Sequence, residues 1–128
     1  MRILGVDPGI STGLVIWDTA DEVVYHMTVR RADPSALMMS LAARCDYAVI
    51  ESVPKDGCST QARRYGILLS QLLAIAEVIV LAPSEWKPFA KAQKWHEKEL
   101  STVHEQDAYC MTRYAYKFKI KENTSGES

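Results

Sequence analysis

The apolar residues of the first half of the chain come in short runs, each closed by a polar or turn-forming residue. Ile3–Val6 runs into Asp7, Leu14–Trp17 into Asp18, and Ala48–Ile50 into Glu51. Runs this short, rich in β-branched and aromatic residues, predict strands over 2–7, 13–18, 22–30 and 46–51, and a fifth, shorter strand over 78–81. Elsewhere the apolar spacing is helical. Asp33-Pro34 opens a helix through Arg44, with Asp33 as N-cap and Pro34 at the first position. A longer helix is predicted over 59–77, where Ile67, Leu68, Leu69, Leu72, Leu73 and Ile75 spread the apolar stripe beyond one face. Such a helix can pack on a sheet and also meet a second copy of itself. A last helix runs over 104–116, capped by Ser101 or Thr102. The Met and Leu positions of the first helix read as core packing.

The first three strands, joined by short turns, make an antiparallel meander. A helix separates them from strand 46–51, so that strand is a crossover lying parallel to an earlier one. If its neighbour is strand 2–7, Asp7 and Glu51 leave the sheet at the same carboxyl edge, where ligands of open α/β sheets bind. Each acid alone also fits a solvated strand end. Asp7 stands at a tight Pro8-Gly9 turn, in which Gly9 and Gly13 are expected to supply backbone conformations that side chains forbid. A carboxylate at the mouth of such a hairpin calls for a cation.

Two further groupings carry chemistry. His104 and Asp107 stand at i and i+3 and share a helical face, whereas Glu105 lies about 100° away. A single histidine is most often structural; its pairing with Asp107 points instead to a ligand pair. The segment 82–98 sets Lys87, Lys91, Lys94 and Lys98 against two glutamates, with Trp86, Phe89 and Trp95 interleaved. Lysines neutralise phosphates and aromatics stack on exposed bases, but the same pattern fits a surface helix with its aromatics turned to the core. Arg63 and Arg64 stand in the early turns of helix 59–77.

At 128 residues, with 48% hydrophobic and 24% charged, the chain has the composition of one globular domain. Its formal net charge of −1 is unevenly spread, −3 over residues 1–51 and +2 over residues 52–128, so a carboxylate-rich part adjoins a basic one. Cys45, Cys58 and Cys110 form no CxxC pair, which excludes a disulfide framework and places the chain in a reducing compartment, the cytoplasm. No signal peptide or membrane-length apolar run is present. There is no GxxxxGK[ST] loop, and His104-Glu105 lacks the second histidine of HExxH. Residues 117–128 lose the pattern; a domain over 1–117 and a disordered tail over 118–128 are expected.

Taken in order, Gly5-Val-Asp7-Pro-Gly-Ile-Ser-Thr-Gly13, Val49-Ile-Glu51, Pro83-Ser-Glu-Trp-Lys87 and His104-Glu-Gln-Asp107-Ala108 resemble the RuvC-like Holliday junction resolvases of the ribonuclease H-like superfamily, in a compact, phage-type form. The resemblance implies an α/β fold, a five-stranded mixed sheet of order 3-2-1-4-5 flanked by helices. It implies two Mg²⁺ ions, replaceable by Mn²⁺, held by Asp7, Glu51, Asp107 and His104. It further implies a DNA-associated homodimer, with helix 59–77 as candidate interface, that nicks four-way junctions in pairs. Arg63, Arg64, Trp86, Lys87, Lys91 and Lys94 are the candidate DNA contacts. Val53-Pro54 stands where bacterial members carry an aromatic wedge, with Tyr65, Trp86 or Trp95 as possible substitutes. The alternatives are a less selective branched-DNA or flap endonuclease of the same fold, an enzyme cutting RNA–DNA hybrids, or a catalytically silent junction-binding module. The actin-like ATPases share the Asp-x-Gly-x-Ser/Thr-x-Gly pattern but need two domains, which this length does not hold.

Overall fold

β1 (Arg2–Asp7) is the middle strand of a five-stranded sheet whose order is β3-β2-β1-β4-β5, as expected. The computed structural model describes residues 1–53 and 59–120. β2 (Ser11–Asp18) and β3 (Glu22–Arg30) complete an antiparallel meander with β1, while β4 (Tyr47–Glu51) and β5 (Glu77–Leu81) run parallel to it. Val6 aligns with Ile50 across the β1–β4 pair, so Asp7 and Glu51 leave neighbouring strands at one edge.

The two faces of the sheet are sorted by the period of two along each strand. Leu4, Val6, Leu14, Ile16, Ala48 and Ile50 face α1 (Ser35–Ala42) and α2 (Ser59–Leu73), packing on Met38, Leu41, Leu68 and Leu72. Ile3, Val15, Trp17 and Val49 face the other way, toward α3 (Pro83–Gln93) and α4 (Val103–Ala115). Asp7 and Glu51 share the phase of Ile3 and Val49 and therefore belong to the α3–α4 face.

α4 lies directly on the strand backbones. A Cβ built on Gly5 would overlap the Ala108 carbonyl, and one on Gly13 would overlap the carbonyl of His104. These glycines are required by contact, not by turn geometry, because no described glycine has a positive φ. That corrects the reading of Gly9 and Gly13 as conformational hinges. Among the described residues the left-handed backbone falls instead on Asp21, Arg31 and Lys94.

Other boundaries shift. Asp33 sits one residue before the N-cap of α1, which is Pro34, and its carboxylate accepts from the Ser35 N–H at 2.9 Å. α2 stops at Leu73, since Ala74–Ala76 turn to deliver β5. α4 does not end the ordered chain. It passes into a wider, π-helical turn, Tyr116–Ile120, in which Phe118 packs edge-on against Phe89 at 4.8 Å and Ile120 is buried. The boundary expected at 117 therefore falls inside a packed element, because Phe89 and Tyr114 give Phe118 an aromatic partner on each side. Residues 121–128, Cys58 and the Pro54–Gly57 part of the expected loop lie outside the described residues.

Gly66, mid-helix in α2, has open space around its Cβ position. Gly13→Ala is expected to lower unfolding stability by about 1–3 kcal/mol through overpacking against His104, while Gly66→Ala raises it by up to about 1 kcal/mol. Urea unfolding of the two variants measures both, and equal effects at the two sites would remove the close helix–sheet contact.

Candidate active site

Three elements meet at the carboxyl edge of β1. β1 supplies Asp7, β4 supplies Glu51, and the first two turns of α4 supply His104 and Asp107; all four line one open cleft of about 410 Å³, together with Lys87 from α3. α4 starts where it does because Thr102 caps it, its hydroxyl accepting from the Glu105 N–H at 3.1 Å. The contact of Gly13 with the His104 backbone then brings the first turn of α4 down onto the end of β1.

Asp7 is 7% exposed. Its Oδ2 lies 3.1 Å from His104 Nδ1, the donor being set by the imidazole tautomer. Burial pushes the Asp7 carboxyl up to about 7; the bond to His104 opposes the rise, and the charges of Glu51 and Asp107 add to it. Glu51 is raised too, chiefly by burial, with Lys87 and the bond from Trp86 pulling the other way. Asp107 is raised by burial against the attraction of Lys87 and His104. Three carboxylates thus resist ionising together in one cleft, and Lys87 is the cation that acts on both Glu51 and Asp107.

Among the described residues no three His, Cys, Asp or Glu side chains stand gathered as a ready ion cage; Asp7 turns to His104 and Glu51 to Trp86. The donor chemistry nevertheless fits a hard divalent cation. Carboxylate oxygens dominate, with one imidazole and no thiol, which suits Mg²⁺ or Mn²⁺ better than Zn²⁺. A cation there would also offset the burial that holds these carboxyls up and the repulsion that adds to it at Asp7 and Glu51.

The six candidate DNA contacts divide into three groups. Lys87, Lys91 and Lys94 line a groove of about 440 Å³ that adjoins the cleft at Lys87 and Asp107. Arg64 lines a separate pocket that shares Gly9, Ile10 and Gln61 with the cleft, and Arg63 lies beyond it with Asp33 and Ile67. Trp86 is 2% exposed, so no base can stack on it. Its indole N–H donates instead to Glu51 Oε2 at 2.7 Å, which makes it a buried support of the carboxylate. The interleaving of Trp86 with lysines hid this, since only the tertiary fold brings α3 under β4. Trp95 is likewise committed, packing on Phe89 and under the Arg113 guanidinium, and Tyr65 packs against the α1–α2 core. Ser11, inside the Gly5–Gly13 motif but not singled out there, and Gln61, which has no sequence signal of its own, also line the cleft. Glu105 is turned away from the site, as the helical spacing predicts, toward β3.

No protein-family model and no curated protein sequence matches the chain. Solved structures do. T. thermophilus RuvC in complex with Holliday junction substrate superposes with a TM-score of 0.70 at 14% identity, covering 93% of this chain and 96% of that one. The Thermus thermophilus RuvC structure superposes at 0.65 with 15% identity, covering 91% and 96%. The fold is RuvC-like.

A carboxyl whose folded pKa stands above its unfolded value contributes stability at low pH and loses it as pH rises through the folded pKa. For Asp7 that window runs from 3.8 to about 7. Without divalent ions, Asp7→Asn is expected to match the native chain in stability below about pH 4, to exceed it increasingly up to about pH 7, and to keep a constant excess above that. Thermal melts across that range measure the difference; a gap independent of pH would show that Asp7 ionises without strain.

Proposed function

We propose that the chain is a divalent-cation-dependent endonuclease that cuts branched DNA, four-way junctions foremost. One observation carries this reading: three carboxylates and an imidazole from β1, β4 and α4 converge on an open cleft bordered by lysines. The fold supports it, being shared with a protein solved with a Holliday junction substrate. Asp7, Glu51, Asp107 and His104 would hold two Mg²⁺ ions. The chemistry such ions would supply when bound is an acidified water and charge stabilisation of the leaving oxygen in phosphodiester hydrolysis.

The remaining work belongs to side chains of this chain. Trp86 holds one oxygen of Glu51 and so fixes the direction of the other. Lys87 draws a phosphate toward Glu51 and Asp107, and Lys91 and Lys94 continue the cationic track along α3. His104, with its Nδ1 on Asp7, can hold or take a proton at Nε2. Arg64 and Arg63 extend the basic border on the other side of the cleft. A second copy would dock along α2, whose Ile67 and Leu73 are 49% and 61% exposed, giving two sites for paired nicks. Such an enzyme works where DNA is, in the cytoplasm.

A second reading, a less selective branched-DNA nuclease, is favoured by one observation. Among the described residues no Phe, Tyr or Trp side chain lines the cleft, and Trp86, Trp95 and Tyr65 are all engaged in packing. Mg²⁺-dependent cleavage of a labelled four-way junction, beside linear duplex, flap and RNA–DNA hybrid, separates the readings, with Asp107→Asn as the blank. Symmetric paired nicks confined to the junction support the resolvase; equal cutting of flaps supports the broader nuclease; tight junction binding without cutting supports a silent binding module.

In the same assay Asp7→Asn is expected to lose more than about a hundredfold in cleavage while keeping junction binding. His104→Asp keeps measurable activity if the imidazole acts as a ligand and loses all of it if proton transfer is its role. Replacing Lys91 and Lys94 together by alanine should reduce the slope of log affinity against log salt by about two. An unchanged slope would move the DNA off α3.

A further inference from the structure

Glu105 lies between His104 and Asp107 in sequence, is 2% exposed, and takes no part in the cleft. Its carboxylate is turned toward the edge strand of the sheet. Oε1 lies 2.7 Å from His26 Nδ1, and Oε2 accepts from the Thr28 hydroxyl. Ser101 adds its hydroxyl to Oε2 at 3.2 Å. The Thr28 and Thr102 hydroxyl oxygens are 2.7 Å apart, and Thr102 accepts from the Glu105 N–H. With Thr28 donating to the carboxylate, Thr102 donates to Thr28 and the bonds close into a ring: Glu105 N–H to Thr102, Thr102 to Thr28, Thr28 to Glu105. A carboxylate only accepts, so His26 carries its proton on Nδ1.

This ring joins β3 to the first turn of α4 through one buried charge. An apolar residue could fill the same space without desolvating a carboxylate, and Thr102 alone suffices as a helix cap. What the carboxylate adds is direction. Glu105 is one residue, about 100°, from His104, so the helix is held on two faces at once. The His104 backbone rests on Gly13, and Glu105 is tied to His26 and Thr28, which pair with Val15 and Gly13 across the β2–β3 ladder. Side-chain tips ride about 5–6 Å from a helix axis. A rotation of about 10° therefore moves the Asp107 carboxylate by about 1 Å, and misplacement on that scale weakens a site by about a hundredfold.

We propose that Glu105 is a positioning residue that fixes the rotation of α4, so that His104 and Asp107 face Asp7 and Glu51. The inference rests on the reading of those four residues as a divalent-cation site. His26 and Thr28 are its partners, and β3, an edge strand with no ligand of its own, becomes part of the machinery.

Mn²⁺ binding to the full chain, by calorimetry at a temperature where each variant is folded by circular dichroism, tests it. Glu105→Ala is expected to weaken binding by about 10–100-fold and to lower kcat on cleavable DNA with KM unchanged. Glu105→Gln, which keeps an acceptor for Thr28, restores most of the affinity. His26→Ala, which removes one half-exposed partner and leaves the Thr28 and Ser101 bonds, gives a smaller loss of about 3–10-fold and stands in if Glu105→Ala does not fold. Leu72→Ala, a core truncation on the far face of the sheet, lowers stability and leaves Mn²⁺ affinity unchanged. Mn²⁺ affinity of folded Glu105→Ala, or of His26→Ala in its place, within twofold of the native chain overturns the proposal, as does an equal loss in Leu72→Ala. A native chain that binds no Mn²⁺ and cuts no DNA overturns the nuclease reading beneath it as well.

Discussion

Everything at the candidate site depends on how closely α4 approaches the sheet. Helices usually stand off from a sheet by the thickness of two layers of side chains. Here Gly5 and Gly13 remove one layer, so the carbonyls of Ala108 and His104 come down onto the strand backbones. That approach places an imidazole within hydrogen-bond distance of Asp7. It also explains why two small residues stand in otherwise bulky, buried strands. A methyl group at either position would force the helix outward, and the carboxylates of α4 and β1 would separate with it.

The same closeness creates the electrostatic problem that makes the site chemically useful. Asp7, Glu51 and Asp107 are drawn from water into one cleft, and burial is the largest cause of the upward shift in all three. Partial compensation comes from His104, Lys87 and the Trp86 N–H. The cluster is therefore only partly compensated by the groups around it. Glu105, one residue from His104, meets the opposite fate. Burial pushes its carboxyl up, but bonds from Thr28, His26 and Ser101 outweigh that and hold it below the ordinary value. The two acids of α4 thus differ by environment: Glu105 is satisfied within the protein, while Asp107 lines the cleft.

Packing also decides what the aromatic residues do. Trp86 supports Glu51, Trp95 lies against Phe89 and Arg113, and Phe118 joins Phe89 and Tyr114 beyond the end of α4. None is left as a platform for stacked bases at the cleft. The cations are divided differently, with Lys87, Lys91 and Lys94 remaining on the walls of open grooves. The segment that combined lysines and aromatics in sequence is therefore split in space into a charged outer face and an inner face that braces the site.

The sequence by itself determined the strands and the meander of the first three; their full order, and with it the common edge of Asp7 and Glu51, followed only from the family resemblance. Strand periodicity and short turns are local rules that need no knowledge of distant contacts. The helical spacing of His104 and Asp107, and the divergence of Glu105, are local in the same sense. Tertiary structure decided the rest. Whether Gly13 serves a turn or a helix contact, whether Trp86 stacks on DNA or holds a carboxylate, and which strand receives Glu105 all depend on pairs separated by tens of residues. Such pairs leave no periodic trace, because the partner's distance along the chain is set by loop lengths and not by the repeat of any helix or strand.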